Sequence, residues 1–390
     1  MQEKNLSQEF KTQTIYKAMD NKRPEGLWVV ALDIGYSAVK GMSPNAAFCF
    51  PSFAKEFSGT MIGNNEFSDI FYRGEDGKQW IVGNLASTSV KINDTTDSVS
   101  TLYERSRYYT PMYKVLARVG LAWGSSGDNQ YGKVGENDEY FVQTGLPPAY
   151  IEEDTEALLD VFEGRHQFSL KVGKSKWTNY DITIARENIN VMAQPMGAVI
   201  SASKKDDGTT VYDQNGDPLV EYNILVVDGG FGTLDVISIV NRTYESSPNS
   251  FADLGMKSVF SALSDRLMKE HGKQVAVHAL QPSLDDGYVV KLDRKLMQDK
   301  RITINEPLEE ISREICHKTF ERINSSYNFL EGYKYLLLAG GTCAAWKPYI
   351  KELYAGLSEL EIVFADRNDK LGPVFSNVRG YYHARLGMRR

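Results

Sequence analysis

Apolar positions along the chain fall into two textures. Short β-branched or apolar runs at 28–32, 141–146, 181–184, 189–192, 224–227, 234–240, 335–339 and 363–364 read as strands, several of them buried on both faces. Helical spacing takes over at 110–123, where Met112, Val115, Leu116, Val119 and Leu121 share one face, and again at 155–163, 259–269 and 308–323. Strands interleaved with helices predict an α/β protein. Residues 52–100 differ: short alternating pieces among Gly, Asn, Ser and Thr predict a small, partly exposed β-rich insertion. Residues 1–25 are polar and of mixed charge, and read as a frayed extension or a loose helix.

The strand at 224–227 ends on a carboxylate, Asp228, and a turn containing Gly229, Gly230 and Gly232 follows before the chain returns. Glycines there leave backbone N–H groups bare, so an anion can approach the main chain without meeting a Cβ. A carboxylate beside such a turn repels phosphate directly, so its natural task is to hold water on Mg²⁺ or to orient an attacking water. The same phrase occurs earlier. Leu32, Asp33, Ile34, Gly35, Tyr36, Ser37, Ala38, Val39 and Lys40 align without gaps on Val227, Asp228, Gly229, Gly230, Phe231, Gly232, Thr233, Leu234 and Asp235. One copy alone suits an ordinary hairpin whose Asp and Gly serve the turn. Two copies, each leaving an apolar strand, predict a duplicated domain whose turns close on one phosphate chain from opposite sides.

Two further junctions join this pattern. The strand at 335–339 runs into Gly340, Gly341 and Thr342 and then a helix, where glycines permit close approach and the helix end favours negative charge. The strand at 189–192 runs into Gln194, Pro195, Met196 and Gly197, which predicts the first turn of a helix packed close to its neighbour. Gln194 there either caps the helix or hydrogen-bonds a water without carrying charge.

A length of 390 residues predicts two domains, and 42% hydrophobic with 24% charged residues is a globular composition. No apolar run approaches the roughly 18 residues that span a bilayer, so no membrane association is expected. The N-terminal stretch lacks the apolar core of a signal peptide, and Cys49, Cys316 and Cys343 are odd in number and widely spaced. Together they point to the cytoplasm, with buried thiols rather than disulfides or a zinc site. A net charge of −7 does not suit direct nucleic-acid binding over a broad face, so any link to DNA would pass through a partner.

Three superficial motifs are set aside. Gly127, Gly132 and Lys133 fit a Walker A loop, but Val134 replaces its Ser/Thr, no strand precedes it and no helix start follows. Asp213, Asn215 and Asp217 look like part of a calcium loop, but Asn215 and Gly216 between two short apolar pieces make a surface hairpin the better reading. His271, His278 and His317 lack metal-ligand spacing.

Taken in order, these pieces resemble the actin-like ATPase superfamily, and within it the bacterial actin-like plasmid segregation proteins of the ParM group. Asp33, Gly35, Ser37 and Lys40 match its first phosphate motif and Gln194, Pro195 and Gly197 its first connecting helix. Asp228, Gly230, Thr233 and Asp235 match its second phosphate motif, Gly340, Gly341 and Thr342 its adenosine motif, and residues 377–380 its second connecting helix. Residues 82–86 and 144–147 look like signatures of the plasmid group. Phe231 and Met196 depart from the usual pattern. The resemblance implies two duplicated ribonuclease H-like domains around a nucleotide cleft. After an extension at 1–26, domain I would span 27–203 and 365–390 with an insertion at about 52–105. Domain II would span 204–364 with an insertion at about 257–328.

It also implies the roles. Ser37, Lys40 and the glycines, including Gly229 and Gly232, would hold the β- and γ-phosphates of ATP, with GTP as a possible substitute, and Tyr36 and Phe231 would flank them. Asp33 and Asp228 would order the water shell of Mg²⁺, and Gln194 with Asp228 would position the attacking water as the catalytic pair. The implied activity is hydrolysis by a protein that polymerises with itself and segregates plasmid DNA through a DNA-binding adaptor at a centromere-like site. The alternative is a non-polymerising nucleotide-dependent scaffold or switch.

Overall fold

The computed structural model describes residues 12–388 apart from 60–65, 90–103, 126–133, 135–137, 252, 294 and 369, and leaves aside the side chains at 245–249, 278 and 282. The Walker-like stretch at 127–133 lies outside the described residues.

The first sheet has the order β1–β4–β3–β2–β8–β11, built from β1 (Ile15–Ala18), β2 (Leu27–Ile34), β3 (Ala38–Met42), β4 (Ala46–Pro51), β8 (Glu139–Leu146) and β11 (Ile189–Ala193). The first four strands run antiparallel to their neighbours, whereas β2, β8 and β11 are parallel. Alternation along β2 sorts its side chains. Trp28, Val30 and Leu32 enter a core with Val115, Leu116 and Val119 of helix α2 (Pro111–Ser125). Leu27, Val29 and Ala31 meet Phe375, Val378, Tyr381 and Tyr382 on the other side, where the C-terminal helix α10 (Ser376–Gly387) lies. Helices on both faces explain why β2 is apolar at nearly every position.

The second sheet repeats the plan. Its order is β14–β13–β12–β17–β18, from β12 (Ile224–Gly229), β13 (Leu234–Val240), β14 (Thr243–Phe251), β17 (Tyr335–Ala339) and β18 (Glu361–Phe364). Ile224 and Val226 pack on Ala198, Val199 and Ala202 of α4 (Gln194–Ser203). Leu225 and Val227 face Phe260 and Leu263 of α5 (Met256–His271) and Phe320 of α7 (Asn305–Ser326). Between those helices come α6 (Val277–Asp286) and a two-stranded hairpin of β15 (Tyr288–Asp293) and β16 (Gln298–Thr303). The short helices α8 (Gly340–Ala345) and α9 (Lys347–Leu353) follow β17.

The two sheets meet through α4 and α10, and the crossing is set by two glycines. A Cβ on Gly380 would sit 1.8 Å from the Gly197 carbonyl oxygen, and one on Gly197 would sit 2.6 Å from the Tyr381 ring. The expected helix of small residues packed close to its neighbour is this contact. No described helix is long and apolar enough to cross a membrane, and all three cysteines are free and buried.

Two expectations need correction and a third is extended. Residues 15–18 are an edge strand, not a frayed extension or a loose helix: β1 pairs with Ala46 to Cys49, and the Tyr16 ring meets Trp123 edge-on at 5.8 Å. Four residues carry too little periodicity to announce a strand whose partner lies some thirty positions away. The β-rich insertion is present, and its sheet extends beyond the expected bounds. Its strands β5 (Ala54–Glu56), β6 (Ile70–Gly74) and β7 (Gln79–Val82) are joined by β9 (Gly164–Val172) and β10 (Thr178–Ile184) in the order β10–β9–β6–β7–β5. The three short strands need the long β9–β10 hairpin to cover a face. Helices α1 (Asn84–Thr88) and α3 (Ile151–Phe162) flank this part of the chain. The surface hairpin around Asn215 is a tight turn closed by the single bridge Tyr212–Pro218, and residues 219–221 form a 3₁₀ turn in place of its second strand.

Candidate functional site

The two matching phrases fold alike. In the β2–β3 hairpin Asp33 lies opposite Lys40, and the Gly35 N–H closes the turn onto the Ala38 carbonyl at 3.0 Å. In β12–β13 Asp228 lies opposite Asp235, and the Gly230 N–H closes onto the Thr233 carbonyl at 2.9 Å. Register and turn bond correspond position for position. Both turns open on one cavity of ≈ 290 Å³ between the sheets. A Cβ on Gly232 would lie 2.4 Å from the Tyr36 ring, so the turns touch across the cavity.

The charged groups differ between the copies. Lys40 Nζ contacts Asp33 Oδ2 at 2.9 Å; burial opposes the ammonium, but Asp33 keeps its pKa above the usual lysine value. Gln194 is the first residue of α4, with Ala193 at the N-cap position, and donates from Nε2 to Asp33 Oδ1 at 3.3 Å. The reading of Gln194 as merely a helix cap is therefore set aside.

On the other side two carboxylates face one another. Burial pushes Asp228 up to about 6, opposed by the Asn377 amide, which donates to its Oδ2 at 2.7 Å, and by Lys40. Burial pushes Asp235 up to about 7, opposed by the Ser250 and Thr233 hydroxyls and reinforced by the Asp228 charge. Desolvation dominates both because the cavity walls exclude water from the carboxyls.

The third junction closes the floor. Gly340 has φ +79°, and a Cβ there would meet the Gly229 carbonyl at 2.3 Å and Asp228 Oδ1 at 2.7 Å. Only glycine fits that approach. Thr342 donates from Oγ1 to the Gly230 carbonyl at 2.7 Å, tying the start of α8 to the second turn.

Of the residues expected at the site, Asp33, Gly35, Tyr36, Ser37, Lys40, Gln194, Asp228, Gly230, Phe231, Gly232, Thr233, Asp235, Gly340, Gly341 and Thr342 line the cavity. Gly229 is not brought to it. A Cβ there would meet Cys343 Sγ at 2.8 Å, so Gly229 serves the packing of α8 under the turn. Sequence reasoning missed Thr12 and Gln13 before β1, Arg107, Gln281 of α6 and Asn377 as lining residues. Asn377 carries a signal, since residues 377–380 match a connecting helix. Arg107 carries none, because it follows the insertion and reaches the cavity only through tertiary folding.

The described residues hold no cluster of three or more His, Cys, Asp or Glu that would ligate a metal directly. The donors present are carboxylates and amides, and Asn377 Oδ1 is buried without a hydrogen-bond partner. Such a set fits Mg²⁺, which keeps most of its waters and meets protein through few oxygens. Asp33 and Asp228 would hold those waters.

The fold and the paired turns define an actin-like architecture. Residues 31–197 match the family model described as the N-terminal domain of actin-like proteins. Similar solved structures include a 15-stranded ParM filament from Clostridium botulinum, 17% identical, with a TM-score of 0.69 over 92% of this chain and 99% of that one. A non-polymerisable quadruple mutant of pCBH ParM is also 17% identical, at 0.69 over 93% and 99%. Ta0583, an archaeal actin homologue solved with ADP, is 16% identical, at 0.60 over 93% and 100%. A search of curated proteins finds no match. The chain has an actin-like fold, like that of the ParM proteins, and its residues 31–197 match the N-terminal domain of actin-like proteins.

Proposed function

We propose that this chain binds and hydrolyses a nucleoside triphosphate between its two domains and assembles with its own copies into filaments while the triphosphate is bound. The observation that carries the reading is the pair of hairpin turns, identical in register, that open on one cavity together with the Gly340 turn. Their bare glycines suit a phosphate chain, and the floor at Gly340 and Gly341 suits the flat face of a base or ribose. ATP is the expected substrate and GTP the competitor to test.

Hydrolysis of a phosphoanhydride mainly needs positioning and charge stabilisation. Ser37 and the turn glycines would hold phosphate oxygens, and Lys40, anchored by Asp33, would face them with a fixed positive charge. Bound Mg²⁺ would neutralise phosphate charge. Gln194, itself held by Asp33, would orient the attacking water without competing for its proton, and Asp228 would accept the water's second hydrogen bond. Closure of both turns on the ligand would draw the two sheets together about the α4–α10 crossing, and assembly would select that closed form.

The filament proteins among the structural relatives support self-assembly as the output. Segregation of plasmid DNA through a DNA-binding adaptor is the finer reading, in keeping with an acidic chain that suits no direct nucleic-acid contact. Sedimentation of the purified protein with Mg·ATP, Mg·GTP, Mg·ADP or no nucleotide, with negative-stain microscopy of each pellet, tests the proposal. Filaments that depend on a triphosphate are expected. Phosphate release without any sedimenting species would move the protein to the alternative of a nucleotide-dependent switch.

A further inference from the structure

We propose that Arg107 reads the terminal phosphate of the bound nucleotide and so makes the cleft prefer a triphosphate to a diphosphate. The inference rests on the nucleotide reading above and goes beyond it in naming what senses the third phosphate.

Arg107 belongs to the 3₁₀ turn Arg105–Tyr109 and is only 5% exposed, yet it lines the cavity. Its guanidinium lies 4.1 Å over the Tyr36 ring and 5.4 Å from the rings of Tyr108 and Tyr113. Among the described residues no carboxylate pairs with it; its guanidinium donates to the Tyr108 side chain, while its Nε is buried without a hydrogen-bond partner. Nearby arginines are treated otherwise. Arg105 is paired with Glu153 and Asp154, Arg118 with Glu75, and the buried Arg379 donates to the Ser201 and Lys204 carbonyls.

Aromatic faces offset part of the cost of burying a cation, but they do not accept the in-plane N–H groups of a guanidinium. Those donors form a planar fork that matches phosphate oxygens. Position and charge balance agree with such a partner. The Tyr36 ring contacts both the Arg107 guanidinium and the Gly232 position, so Arg107 sits beside the ring at which the two turns touch. Asp33, Asp228 and Asp235 make the cavity acidic, and Lys40 is already engaged by Asp33. Arg107 is left as the cation among the described lining residues that has no carboxylate of its own.

The test is isothermal titration of the full chain with Mg·ADP and with Mg·ATPγS, for wild type, Arg107→Ala and Arg107→Lys, with a thermal melt of each nucleotide-free protein. Loss of a charge-assisted fork should weaken ATPγS binding by Arg107→Ala on the order of 10- to 100-fold and ADP binding by less than about 3-fold. Arg107→Lys keeps the charge but not the fork, and should lose part of the triphosphate preference; it decides the matter if the alanine variant does not fold. Equal weakening for both nucleotides, or none for either, overturns the assignment to Arg107 while leaving the nucleotide site standing. A wild-type protein that binds neither nucleotide overturns both.

Discussion

Asp235 offers a test of the cavity's electrostatics that needs no ligand. The carboxyl is fully enclosed, and its pKa is pushed from 3.8 to about 7. In the unfolded chain it ionises near pH 4, so between about pH 4 and pH 7 the folded state binds the extra proton, and stability falls as pH rises through that window. A rise of that size costs the fold roughly 4 kcal/mol above pH 7, shrinking to under about 1 kcal/mol near pH 4. Asp235→Asn removes this cost. An amide retains one acceptor and gains a donor for the Thr233 and Ser250 hydroxyls, which rotate to suit. Urea denaturation of the nucleotide-free protein at pH 4.5, 6 and 8 should therefore show the variant more stable than wild type by a margin that widens with pH. Parallel curves with a constant offset would mean that Asp235 is already ionised in the folded state, and the argument from desolvation would fail.

Further outcomes follow from the same geometry. Asp228→Ala should abolish phosphate release yet keep the circular dichroism spectrum, because a carboxylate pushed up to about 6 by burial costs the fold more at neutral pH than its bond from Asn377 returns. Retained turnover would remove Asp228 from the mechanism. Gln194→Ala should slow phosphate release on the order of 10- to 100-fold with nucleotide affinity nearly unchanged, since water positioning is a transition-state effect; an equal loss of affinity would make Gln194 a ligand contact instead. Gly380→Ala should destabilise the protein by about 1–3 kcal/mol or more, because the added methyl must displace the Gly197 carbonyl that it meets at 1.8 Å. A change within about 0.5 kcal/mol in urea denaturation would show that the helix crossing yields easily.

Much of this protein is local in its chain. Strands buried on both faces, such as 28–32 and 224–227, must be apolar at successive positions, and that pattern needs no partner to be seen. The two nine-residue phrases are likewise legible one after the other, and their equivalence in register follows because the same turn residues set the same hairpin. What tertiary structure decided is which of these residues meet. The engagement of Asp33 by both Lys40 and Gln194, the enclosure of Asp228 and Asp235, and the turning of Gly229 away from the cavity depend on how two sheets approach across α4 and α10. Arg107 and the edge strand at 15–18 show the limit most plainly. A lone arginine and a four-residue strand carry no periodic signal, and each acquires its place only from contacts with residues distant in the chain. Periodicity is written by the burial of one element's own face, whereas a site is assembled from the ends of several elements, where the chain has no repeat to display.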